Sequence, residues 1–173
     1  MLNSENYNRV TPTALPQASS FFYQNDPRWK DIQIVETRPY TLGSHGCLIT
    51  SLTNAFNDSL RSSAECKSCY LPYSPDMMLG LLKQHKAINS DGLVVWSAAE
   101  EALSAEIKPF DANIDYYYPY HIVQYCHCGF AHFSNVLEIL DDGTVRVYNV
   151  WNGSILDLLP NQCRRYIDLR FHK

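Results

Sequence analysis

Cys47 stands where a thiol could do chemistry. It follows Leu42-Gly43-Ser44-His45-Gly46 and opens a run in which Leu48, Ile49, Leu52, Ala55 and Phe56 recur at helical spacing. That periodicity predicts an amphipathic helix of about 11 residues starting at Cys47. A helix N-terminus presents unpaired N–H groups and a partial positive charge, which stabilise a thiolate and lower its pKa. The same N–H groups suit a developing oxyanion, and glycines at 43 and 46 let the backbone turn tightly and a substrate approach. A buried structural cysteine at the core end of a helix would occupy the same position.

A thiolate nucleophile needs a base, and the base needs an orienting partner. His132 opens the apolar stretch Ala131-His132-Phe133, and Asn149 closes the next predicted strand, across a tight turn. Antiparallel neighbours joined by a short hairpin bring such residues together. Cysteine, then a strand histidine, then an asparagine on the following strand is the order of a Cys-His-Asn arrangement. A strand histidine also occurs as an ordinary satisfied core residue, and Asn149 as a simple strand end. His45 is a second candidate base, but neighbours two residues apart on a turn rarely face each other.

The other cysteines suggest a second chemistry. Cys66-Lys67-Ser68-Cys69 and Cys126-His127-Cys128 could supply four thiolates to a structural zinc, pinning a long loop to a strand. In a strand Cys126 and Cys128 share a face. Disulfides or free thiols are the alternatives, and Cys163 has no partner in this scheme. Four thiolates leave no open position for water, so such a metal would not be catalytic.

The elements that must position these groups divide in two. The first half reads as helical: the Cys47 helix, a helix from Ser74-Pro75 to about His85 with Ser as N-cap, and one from Ser97 to near Ala105 with Glu100 completing a capping box. Residues 58–73 read as a loop, and Phe21–Gln24 as a short entering strand. The second half reads as strands over 120–128, 131–140, 145–150 and 163–171, with Asp141-Asp142-Gly143 as a hairpin turn. Helices followed by an antiparallel sheet imply an α+β fold. Residues 1–20 read as a polar arm and 21–173 as one domain.

Two segments resemble a known family. Gln24-Asn25-Asp26-Pro27-Arg28-Trp29-Lys30, followed by Thr41-Leu42-Gly43-Ser44-His45-Gly46-Cys47, resembles the opening of the double-glycine-peptidase-like cysteine peptidases, the papain-like family related to bacteriocin-processing peptidase domains. Gly129-Phe130-Ala131-His132-Phe133 resembles that family's histidine strand, and Tyr148-Asn149-Val150-Trp151-Asn152-Gly153 its closing D-P-W-x-G. The resemblance spans residues 21 to about 155. It implies a papain-like fold, Cys47 as nucleophile, His132 as general base, Asn149 as orienter in place of the usual Asp, and Gln24 as an oxyanion donor. It implies hydrolysis of a peptide or amide bond through a thioester, with no cofactor required for the chemistry. The chain departs from the family where Ser134-Asn135 interrupts the apolar strand and where Asn149-Val150 replaces Asp-Pro.

Composition narrows the rest. Among 173 residues, 46% are apolar and 18% charged, with 12 tyrosines and a formal net charge of -4. No basic patch points to nucleic acid. No stretch reaches the roughly 20 apolar residues of a membrane span, and no signal peptide is evident at the start. The expected location is cytoplasmic, or exported or virion-associated without a cleavable signal. The expected partner is a peptide, protein or peptidoglycan substrate. The alternative is a catalytically idle or specialised papain-like scaffold acting in a virion or secretion assembly, with the 1–20 arm docked on a neighbour.

Overall fold

A computed structural model describes residues 21–64 and 70–172. The elements run α1 (Leu42–His45), α2 (Cys47–Ser63), α3 (Pro75–Gln84), α4 (Trp96–Leu103), β1 (Ala105–Asp111), β2 (Tyr120–His127), β3 (Phe130–Ile139), β4 (Val145–Asn149), β5 (Ser154–Leu158) and β6 (Cys163–Phe171). The strands form one antiparallel sheet in the order β1-β6-β2-β3-β4-β5. The coarse α+β expectation, helices before sheet, is met. No helix among the described residues is long and apolar enough to cross a membrane.

The sheet has two buried faces because apolar residues alternate along its strands. On one face Ile122, Ile167 and Leu169 pack against Leu52, Met78 and Leu82 of the helices. On the other, Val123, Tyr125, Val147 and Tyr166 form a second cluster together with Leu158. Burying a side chain such as Leu52, which is fully enclosed, stabilises the fold by about 1.5–3 kcal/mol.

Helix α2 runs 17 residues, longer than expected, and Asn54 on its buried surface is fully engaged. Asn54 receives the Phe22 N–H at 2.8 Å, and its Nδ2 donates to the Phe22 carbonyl and to Asn135 Oδ1. Asn135 Nδ2 donates in turn to the Ser51 carbonyl at 2.8 Å. Ser134 pairs with the Tyr125 hydroxyl at 3.1 Å. The polar interruption of the β3 sequence thus locks α2 to the sheet and ties β2 to β3.

Other expectations need correction. The loop read over 58–73 loses its first residues to α2. Ser74 occupies the N-cap of α3, but its hydroxyl donates to Asp76 and makes no cap bond. The Ser97–Glu100 capping box does not form: Val95 is the N-cap of α4, and Glu100 accepts from the Ile107 N–H at 3.0 Å. Glu100 is drawn away because that N–H, on a strand emerging from the helix, offers a donor within reach. Phe21–Gln24 is irregular, joined to the sheet region by Gln24 N–H to the Val150 carbonyl at 2.6 Å. Strands β1 and β5, with Glu, Lys, Pro and Ser among few apolar residues, carry little strand signal and lie at the two edges of the sheet.

Candidate active site

The position of Cys47, the candidate nucleophile, is built from α1 outward. Thr41 and Ser44 form a reciprocal cap that starts a single helical turn. Gly46 then breaks the helix. A Cβ there would lie 2.3 Å from the Leu42 carbonyl oxygen, so no larger residue fits without moving backbone. Helix α2 restarts at Cys47 with no side chain capping its first turn. The N–H groups of Cys47 and Leu48 therefore face the Cys47 sulfur, as does that of Phe133 on β3.

The candidate base, His132, comes from where β3 and β4 part. Their pairing runs from Ile139↔Val145 to Asn135↔Tyr148 and stops short of His132. His132 lies opposite Tyr125 on β2 and is 5% exposed. Its Nε2 is 3.0 Å from Asn149 Oδ1. The same oxygen accepts the Trp151 backbone N–H at 3.0 Å. A backbone N–H can only donate, so Asn149 must present its oxygen, and His132 Nε2 must carry the proton. The lone pair is then on Nδ1, the nitrogen a thiol proton would need. Tyr125, His127 and Trp151 ring the imidazole at centroid distances of 5.4, 5.5 and 6.4 Å.

The electrostatics reverse one expectation. Burial pushes the Cys47 thiol above its ordinary range, outweighing the Phe133, Leu48 and Cys47 N–H groups that pull it down. Burial also brings His132 down to about 4, with Asn149 opposing the shift and the neighbouring His127 adding to it. Burial thus works against the helix-end stabilisation expected of a Cys47 thiolate. Near neutral pH the site holds a thiol and a neutral imidazole, because a neutral amide cannot compensate desolvation of an imidazolium as a carboxylate would.

Gln24 is buried beside this junction. Its Nε2 donates to the Gly43 carbonyl at 2.7 Å, which leaves one amide proton free, while its Oε1 has no protein partner. His45 is engaged elsewhere: it stacks on Tyr40 at 4.0 Å and its Nδ1 pairs with Ser44 Oγ at 2.8 Å.

The motif around Gln24 joins both walls of the site. Asp26 turns the chain by accepting from Arg28 and, through its carbonyl, from the N–H groups of Trp29 and Lys30. Trp29 is buried and its indole N–H reaches the Tyr23 carbonyl. The Lys30 carbonyl receives the Gly43 N–H at 2.8 Å, and a Cβ on Gly43 would meet Lys30 backbone at the same distance. Asn25 Nδ2 donates to the Trp151 carbonyl at 3.0 Å. The roles of Asn25 and Trp151 are not evident from residue type. Only their place inside the two quoted motifs marked them.

Two of the four candidate zinc ligands, Cys126 and Cys128, fall among the described residues. Cys66 and Cys69 lie outside them. Strand β2 ends at His127, and Cys128 sits in the hairpin turn at φ 50° beside Gly129 at φ 85°. The expectation that Cys126 and Cys128 share a strand face therefore fails, because a two-residue turn of this kind needs positive φ at both positions. Both are exposed, and Cys163 is a half-buried free thiol. Among the described residues no three His, Cys, Asp or Glu side chains are grouped to hold a metal.

No protein-family model, curated protein or solved structure matches the chain.

Proposed function

We propose that the chain is a cysteine hydrolase acting on a peptide or amide bond, with Cys47 as nucleophile and His132 as general base. The observation that carries the reading is the Asn149 oxygen shared between Trp151 N–H and His132 Nε2, which directs the basic Nδ1 lone pair away from the orienting residue. Substrate binding would find a neutral pair. Proton transfer from Sγ to Nδ1 accompanies attack on the carbonyl carbon, and the oxyanion is met by N–H groups at the start of α2 and the second amide proton of Gln24. His132 returns the proton to the leaving amine, then takes one from the water that cleaves the thioester.

The test is site-resolved alkylation followed by mass spectrometry, from pH 5 to pH 9. Exposed Cys126 and Cys128 serve as the internal reference, since alkylation of an unassisted thiol rises about tenfold per pH unit below its pKa. Cys47, assisted by a neutral base across this range, should show a much flatter profile and outpace them at pH 6. That advantage should vanish in His132→Ala. If Cys47 follows the pH dependence of the exposed thiols, or ignores His132, the hydrolase reading is wrong.

One observation favours a second reading, a papain-like scaffold working as a binding or structural component. Burial raises the Cys47 thiol rather than lowering it. Alkylation of Cys47 slower than that of Cys126 and Cys128 at every pH would select the scaffold.

A further inference from the structure

Asn25 lies in the first sequence motif but has no part in the chemistry described so far. It is half-buried, and its side chain bridges two distant parts of the chain. Its Oδ1 lies 3.3 Å from the point where a Cβ on Gly43 would sit, against the turn that precedes Cys47. Its Nδ2 donates to the carbonyl of Trp151, 126 residues away.

Trp151 is the residue whose own N–H fixes Asn149. Its N–H donates to Asn149 Oδ1, its carbonyl accepts from Asn25, and its ring meets His132 edge-on. Trp151 is nevertheless 39% exposed and lies beyond the last residue of β4. Sheet pairing does not hold this peptide in place. Its fixed points are the Gln24–Val150 backbone bond, the 2.8 Å bond from Gly153 N–H to the Asn149 carbonyl, and the Asn25 amide.

Resting on the hydrolase reading, we propose that Asn25 is a positioning residue for the base: through Trp151 and Asn149 it sets where His132 points relative to Cys47. The relay runs Asn25 Nδ2–H to Trp151 carbonyl, Trp151 N–H to Asn149 Oδ1, and His132 Nε2–H to the same oxygen. The relay is flanked by the nucleophile's surroundings: Asn25 abuts the Gly43 turn, four residues before Cys47, and the backbone N–H of Phe133, next to His132, faces the Cys47 sulfur. The side chain therefore closes a loop of contacts around the site and couples the spacing of its two walls.

Asn25→Asp keeps the shape and removes the donor, and Asn25→Ala removes the bridge altogether. Displacements of about 1 Å in reacting geometry cost up to a hundredfold in rate. The expected effect is a loss of about tenfold in the His132-dependent alkylation of Cys47 at pH 6–7, with the melting temperature nearly unchanged. The His132 Nε2–H proton resonance, protected in the wild type, should broaden or exchange faster in both variants. Asn25→Gln, which can still reach a carbonyl, should restore part of both signals.

Unchanged alkylation and an unchanged imidazole resonance in both variants would overturn the proposal. So would losses that merely parallel a fall in melting temperature, since that is the mark of a structural residue. The His132→Ala control separates the two levels. If it leaves Cys47 reactivity untouched, the hydrolase reading fails. If it abolishes the reactivity while Asn25 variants do not change it, only the positioning role fails.

Discussion

Two histidines on the same face of the sheet show how a partner decides what an imidazole is for. His121 and Tyr125 alternate along β2 onto one side, and His132 lies directly across from Tyr125. His121 Nδ1 is 2.7 Å from Asp168, a carboxylate with no solvent exposure, whose second oxygen takes the Asp115 N–H at 2.9 Å. His132 is held by a neutral amide and is brought down to about 4. The Asp168 carboxyl group, bonded both to the His121 ring and to the Asp115 N–H, fastens the loop before β2 to β6. A neutral acceptor leaves His132 uncharged and its second nitrogen basic. The first arrangement secures structure, and the second leaves an imidazole nitrogen without the proton, as the proposed general base requires.

The largest effect expected to test this contrast is kinetic. His132→Ala should lower the alkylation of Cys47 at pH 6–7 by about 10²–10⁴-fold, the usual range for a lost general base. His121→Ala should leave that rate within about twofold, since His121 belongs to the fastening pair. Equal losses in the two variants would erase the distinction.

Next comes stability. Asp168→Ala strips the acceptor from His121 and from the Asp115 N–H at a buried position, and at about 1–3 kcal/mol per donor left unsatisfied should be the costlier variant in denaturant unfolding. Asn149→Ala should cost less, because one of its two donors belongs to Trp151, which is 39% exposed and can turn to water. A smaller loss at Asp168 than at Asn149 would reverse the assignment of structural and chemical roles.

The pH dependence of folding gives a third test. His132 is depressed in the folded state relative to an unfolded value near 6.5. The unfolded chain then binds more protons as pH falls from 6.5 to about 4, so stability declines through that window and levels off below it. The drop attributable to this residue is about 3 kcal/mol. It should be absent in His132→Gln, as read from urea titrations at pH 7 and pH 4. An equal acid sensitivity in wild type and variant would show that His132 is not held neutral.

The smallest expected change sharpens the comparison most. Asn149→Asp places a carboxylate at His132 and makes its environment like that of His121. The imidazolium is then favoured, and the acid limb of Cys47 reactivity should move upward by about one pH unit or more. An unmoved limb would mean that the amide's neutrality does not tune the base.

Much of this site was legible before any fold was known. Local chemistry decides the break at Gly46, the helix starting at Cys47, the Ser74-Pro75 helix start and the turn at Asp141-Asp142-Gly143, because each depends on backbone sterics or periodicity within a few residues. Of the order Cys47, His132, Asn149, the fold joins the last two, His132 Nε2 to Asn149 Oδ1 at 3.0 Å. Three matters were settled only by tertiary structure. Strands β1 and β5 exist because β6 and β4 pair with them, which their own residues do not announce. The ionisation of Cys47 depends on how deeply α2 sinks its first turn, and desolvation there overrides the helix-end preference for a thiolate. Finally, Asn25 reads as a turn residue until the chain returns 126 residues later to place the Trp151 carbonyl against it. Propensity and steric rules act between neighbours and are written in the sequence. Burial and long-range hydrogen bonds arise only when distant segments meet.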